Sequence, residues 1–162
     1  MRSSQVLVLA VLASMSALGA CNPFHREPVT EVSRDANVNS RWRASLVTPA
    51  SLAGAVQMNG AATMQPGRDN ANTDFSLSIA NATPGGLHPW QVHRGQCGAD
   101  DGVLGTAEAY TSVKIGDDGR GSATATVPMT TPTSGLFFVT VQASVVNLEM
   151  IVACGNLAAP TR

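Results

Sequence analysis

The chain is short of histidine, charge and cysteine, and each shortage narrows its chemistry. Of three histidines, one (His25) lies in a polar N-terminal stretch. So few imidazoles leave no Ser/His/Asp ordering for hydrolysis, and there is no phosphate-binding glycine loop or paired-carboxylate motif. Charged residues make up 13% of the chain, ten basic against eleven acidic, for a formal net charge of −1. That balance offers no basic face for nucleic acid and no polybasic membrane anchor. Long helix formers are scarce, while Ala, Thr, Ser, Val and Gly are plentiful. The cysteines number three, and an odd cysteine in a secreted protein needs a separate explanation. The charge-free apolar run Val6 to Leu18 is too short to cross a bilayer as a permanent helix and is followed at once by polar residues.

That run follows Arg2 and ends in Leu18-Gly19-Ala20-Cys21, which resembles the lipobox of bacterial lipoproteins. The resemblance implies that residues 1–20 are a secretion signal cut just before Cys21, with diacylglycerol on the Cys21 thiol. Two or three acyl chains on one residue anchor stably, since each buried methylene contributes about 0.8 kcal/mol. The alternative is an ordinary signal peptide with an incidental cysteine. Lipid on Cys21 implies a location at the cell envelope, and Asn22 after it favours the outer membrane. Whether the protein faces the periplasm or the outside stays open. Residues 21–40, polar and containing Pro23 and Pro28, read as the lipidated cysteine and a flexible tether. Residues 41–162 are enough for one domain with its own core. With Cys21 lipidated, Cys97 and Cys154 are left as a pair in an oxidising compartment. Joined, they close a loop of about 57 residues, worth about 4 kcal/mol in the chain-entropy model. Two buried free thiols are the alternative.

From Arg41 onward the pattern is short strands with turn punctuation. Ala44 to Val47 starts it, and Leu52 to Met64 reads as a strand with Gly54 and Gly60 as bulges. Pro66 to Asn70 turns the chain, after which Phe75, Leu77 and Ile79 alternate with polar or small residues, the period of a half-buried strand. Pro84-Gly85-Gly86 precedes a strand at Trp90 to His93. Ser112 to Ile115 and Gly121 to Val127 flank Gly116-Asp117-Asp118-Gly119-Arg120, which reads as a hairpin. Leu136 to Ala143 and Met150 to Leu157 close the domain. Seven or eight short strands without a convincing helix imply an all-β fold, an antiparallel sandwich or flattened Greek-key barrel.

Gly86-Leu87-His88-Pro89-Trp90-Gln91-Val92-His93-Arg94-Gly95-Gln96-Cys97-Gly98 resembles the copper/zinc superoxide dismutase family, where G-F-H-V-H leads through H-x-x-G-x-C into a disulfide cysteine. Ile151-Val152-Ala153-Cys154-Gly155-Asn156-Leu157 is similar to that family's R-L-A-C-G strand, and Val139-Thr140-Val141-Gln142 lies where the family has V-x-V-H. The three stretches come in the family's order within a span from Trp42 to Leu157. The resemblance implies a dismutase-like Greek-key fold and puts Cys97 and Cys154 at the family's disulfide positions.

The departures bear on function. The family holds copper with histidines, because imidazole nitrogen suits that metal. Of the H-V-H pair, the first falls on Gln91 and only His93 remains; the histidine of V-x-V-H falls on Gln142. The segment Gly98 to Lys114 has no histidine for the zinc side. Its Asp100 and Asp101 are adjacent carboxylates pointing to different sides. His88, five residues from His93, points to the opposite face of a regular strand. The family's anion-guiding arginine falls on Ile151, and its long charged loop between the last two strands is absent, with only about seven residues between Ala143 and Ile151. For His93 the readings are a residual copper ligand or a ring hydrogen-bonded to neighbouring backbone. Gln91 and Gln142 read as a neutral remnant, their amides bonded to each other. Met58, Met64, Met129 and Met150 are scattered singly, as core fillers are. Trp90 reads as a cap on the sandwich edge or a ligand lip. The expectation is an envelope lipoprotein with no catalytic residues and no cofactor. It would bind another envelope protein or a small ligand, with the membrane reached through Cys21. The alternative is a residual copper protein or unconventional dismutase centred on His93.

Overall fold

The computed structural model describes residues 40–55 and 57–161, which fall in the unit Ser33–Arg162. The signal segment, Cys21, the tether and His25 lie outside the described residues.

Ten strands run β1 (Trp42–Val47), β2 (Asn59–Pro66), β3 (Thr73–Ala80), β4 (Leu87–His88), β5 (Trp90–Gln96), β6 (Ala99–Val103), β7 (Val113–Lys114), β8 (Gly121–Val127), β9 (Phe137–Ser144) and β10 (Asn147–Asn156) among the described residues. Eight of them form one antiparallel sheet in the order β6-β5-β9-β10-β1-β2-β3-β8, and β4 pairs with β7. The sheet curls into an all-β flattened half-barrel, with short 3-10 turns as its helical content.

The period of two drives this closure. In β1, Trp42, Ala44 and Leu46 turn inward while Arg43, Ser45 and Val47 face out. In β3, Phe75, Leu77 and Ile79 do the same. The inner faces of β5 and β9 add Trp90, Val92, Val139 and Val141. Met58 and Met64 fill the same core. Trp90 is a core residue and not an edge cap or lip: it is 1% exposed, meets the Tyr110 ring edge-on at 5.1 Å and donates from Nε1 to the Thr111 carbonyl.

Two expected elements are corrected. Leu52 to Met64 is not one strand: residues Ala50–Leu52 form a 3-10 turn, Gly54 takes the left-handed region at φ +91, and β2 starts at Asn59. Gly60 is no bulge either. It pairs in register with both Leu46 and Ile79, and a Cβ there would overlap the Ser78 carbonyl oxygen. The segments flanking Gly116–Arg120 do not pair as a hairpin. The turn closes, with Gly116 N–H donating to the Arg120 carbonyl, but β7 then pairs with β4 and β8 with β3. The strand β6 had no apolar alternation to reveal it, because it is an exposed edge.

Cys97, in the tight turn between β5 and β6, is joined to Cys154 of β10. The Cys97 N–H also donates to Asn156 Oδ1 at 2.8 Å, so the turn is tied to β10 twice. The bond closes 57 residues of chain. Replacing both cysteines by serine is expected to lower the unfolding free energy by about 4 kcal/mol, read from urea denaturation of the oxidised wild type and the double variant. A difference under about 1 kcal/mol would mean that the unfolded chain is not constrained by this bond.

Candidate functional site

On a strand, alternate side chains share a face. Opposite the core, β5 therefore presents Gln91 and His93, and β9 presents Phe138, Thr140 and Gln142. Antiparallel pairing sets Gln91 beside Thr140 and His93 beside Phe138, while β10 sets Ile151 beside Gln142. Together these side chains line a cleft of about 400 Å³. Asp100, from the start of β6, and Leu148 and Glu149, from the start of β10, complete its sides. The three positions where the dismutase resemblance puts copper ligands, Gln91, His93 and Gln142, are thus brought together, and Ile151 joins them.

A glycine and a bulge bring in Asp100. His93 pairs with Val103 but Gly95 pairs with Asp100, so β6 carries one extra residue over that step. Asp100 then stands opposite Gly95, on the face that Gly95 shares with His93. Gly95 has φ +98, and a Cβ on it would overlap the Ala99 carbonyl oxygen, so only glycine lets β6 approach this closely. Asp101 stays outside the cleft. The two aspartates point to different sides, as adjacent strand residues do, and the Cys97-Gly98 turn is the signal in the sequence that could place Asp100 against β5.

His93 is 7% exposed and its ring is held by side chains, not by backbone. Its Nδ1 lies 3.0 Å from Asp100 Oδ1 and its Nε2 lies 3.2 Å from Thr140 Oγ1. Phe138 stacks on the ring at 5.1 Å and 28°. Partial burial acts to raise the Asp100 carboxyl, but the Gly102 N–H, the hydrogen bond with the His93 ring and the attraction of that ring when protonated outweigh it, and the pKa falls below the ordinary 3.8. An ionised carboxylate only accepts, which assigns the proton of a neutral His93 to Nδ1. Nε2 is then an acceptor, so Thr140 donates its hydroxyl proton to it. The Thr140 oxygen in turn accepts from Gln142 Nε2 at 3.1 Å. With the ring neutral, each bond sets the next, and the chain ends on Gln142 Oε1, which has no partner.

The expected amide pairing of Gln91 with Gln142 does not form, because Gln142 donates to Thr140 and its oxygen is unpaired. His88 does not line the cleft. Pro89 interrupts the strand between the two histidines, and His88 Nδ1 lies 3.0 Å from the Gln142 carbonyl while its buried Nε2 lacks a partner.

The donors do not fit a copper–zinc pair. The cleft supplies one imidazole with both nitrogens already hydrogen-bonded, a hydroxyl, two amides and two carboxylates, the Glu149 carboxylate at its edge. Copper in either oxidation state favours imidazole or sulfur donors. None of Met58, Met64, Met129 and Met150 lines the cleft. Among the described residues no three His, Cys, Asp or Glu side chains converge as a metal-binding group. Compared with family models and with curated proteins, the chain matches none.

Thr140 is the relay of this chain, and Thr140→Val keeps its shape while removing the hydroxyl. His93 Nε2 and Gln142 Nε2 would both lose their partner, so a stability loss of about 1–3 kcal/mol is expected in urea unfolding. Unchanged stability would show that the three side chains are not bonded in this order.

Proposed function

We propose that the chain is an envelope lipoprotein whose domain is related to the copper/zinc superoxide dismutases but has given up dismutation and serves as a binding module. The supporting observation is what occupies the ligand positions. Two of the three carry amides, and the remaining imidazole is tied on both nitrogens into the Asp100–His93–Thr140–Gln142 chain. Freeing either nitrogen for a metal would break a bond in a buried network, where an unpaired group costs about 1–3 kcal/mol. A fold by itself supplies no activity. Anion chemistry also lacks support here: attracting superoxide requires a positive funnel, and the cleft is lined by Asp100 and Glu149 with neutral Ile151 at the arginine position. The competing reading, a reduced copper centre, draws on one feature, the Asp100 carboxylate beside the His93 ring.

The purified full chain, loaded with copper and zinc and then desalted, is expected to retain far less than one copper per molecule and to show no dismutase activity. Near-stoichiometric copper that disappears in His93→Ala would overturn the module reading. Anchoring has its own test. Cys21→Ala is expected to move the protein from the membrane to the soluble fraction, and unchanged membrane association would refute lipidation.

A further inference from the structure

The wall of the cleft that carries Asp100 is lightly held. β6 lies at the end of the strand order and pairs with β5 alone. Ala99, Asp100, Asp101 and Gly102 are all exposed, so no side chain of this stretch enters the core. Its two ends are pinned by other means. At the far end Leu104 is 1% exposed and donates its N–H to the Val92 carbonyl. At the near end Cys97 is joined to Cys154, and its N–H donates to Asn156 Oδ1. Gly98 and Gly102 bracket the segment. Both have positive φ and open space where a Cβ would stand, so the backbone is free to pivot at either side. Asp100 travels with the segment, because the oxygen that meets His93 Nδ1 also accepts from the Gly102 N–H at 2.7 Å.

The near pin is within reach of a reductant. Cys97 is half-buried, and both cysteines line an open groove of about 740 Å³ whose other walls include Val47, Leu52 and Met150. A small dithiol entering this groove attacks with its thiolate at Sγ of Cys97, the more exposed cysteine. A mixed disulfide forms and Cys154 leaves as a thiol; the second thiol of the reagent then displaces Cys97. The dithiol gives up two electrons and two protons and departs as a disulfide, and the protein keeps two thiols. We propose that residues 98–102 form a redox-released flap over His93. With the disulfide formed, Asp100 covers Nδ1 and closes that side of the cleft. With it reduced, only the Asn156 contact and the pairing with β5 hold the near end. The flap then swings out on its two glycines and uncovers the Nδ1 side of the ring. Such a flap governs access to the cleft whatever the cleft binds.

The test compares the purified full chain before and after dithiothreitol at neutral pH, with Asp100→Ala as the reference for a His93 that has lost its carboxylate. Nitrogen-15 NMR follows the histidine rings, and hydrogen exchange follows the main-chain amides. Reduction is expected to move the His93 ring signals to those of Asp100→Ala and to leave the His88 ring, which bonds the Gln142 carbonyl, unmoved. Exchange of the β6 amides that pair with β5 is expected to quicken about tenfold, while β1 and β3 keep their protection. The double variant Cys97→Ser with Cys154→Ser is expected to match the reduced wild type at His93. Unmoved His93 signals once both thiols are free, or a bond that dithiothreitol does not reach in the folded chain, would overturn the proposal. So would loss of protection throughout the sheet on reduction, because the bond would then guard the whole domain and not the flap.

Discussion

β9 is the strand on which the rest of the domain depends, because both of its faces are buried and both of its edges are paired. Val139 and Val141 lie in the core, while Phe138, Thr140 and Gln142 lie under the cleft on the other side. β5 takes one edge and β10 the other, so the main-chain bonds are made within the sheet. Strands buried on two faces ordinarily read as continuous apolar runs. This one places a hydroxyl and an amide where water does not reach, and buried polar groups must find partners. With the backbone committed, the partners have to come from neighbouring side chains, and His93 on β5 is the one in reach.

From that constraint the polar chain follows in one direction. The Asp100 carboxylate can only accept, a neutral imidazole then has one donor and one acceptor, and a hydroxyl can pass the polarity on. Gln142 must present its nitrogen to Thr140, which leaves its oxygen at the end. Such a chain orients each member through the next. The same order decides which end of Gln142 is left over: its nitrogen is spent on Thr140 and its oxygen is the unpartnered end.

The strands with strict alternation were legible from the residues, because Trp42-Ala44-Leu46 and Phe75-Leu77-Ile79 each expose one face to the core. Partner choice was not. Gly116 to Arg120 announces a turn through its glycines and aspartates, but whether its flanks pair depends on β3 and β4, which offer competing edges elsewhere in the chain. Of the site, Gln91, His93 and Gln142 were legible by period and by resemblance, and they do meet. Asp100 was not, since its place depends on a bulge in β6 and on a positive-φ glycine in β5. A one-residue offset in a loop-like segment leaves no periodic mark. Trp90 does begin the expected strand, but that its ring enters the core and does not cap the edge depends on Tyr110 and Thr111, which lie far along the chain and meet it only in the fold.

A domain that had lost metal chemistry and retained only a structural role would be free to close this cleft. Protein interiors are packed to crystal-like density, and large side chains at Gln142 or Thr140 would fill the space with apolar contact. Replacing a buried polar chain by apolar residues of similar volume is often neutral or stabilising. Yet the outer face of β9 keeps a hydroxyl and an amide, one acceptor is left without a partner, and two carboxylates stand at the edge. An unsatisfied buried group calls for an explanation. Packing alone does not require that polarity, since an apolar side chain of similar volume at Gln142 would leave no acceptor bare.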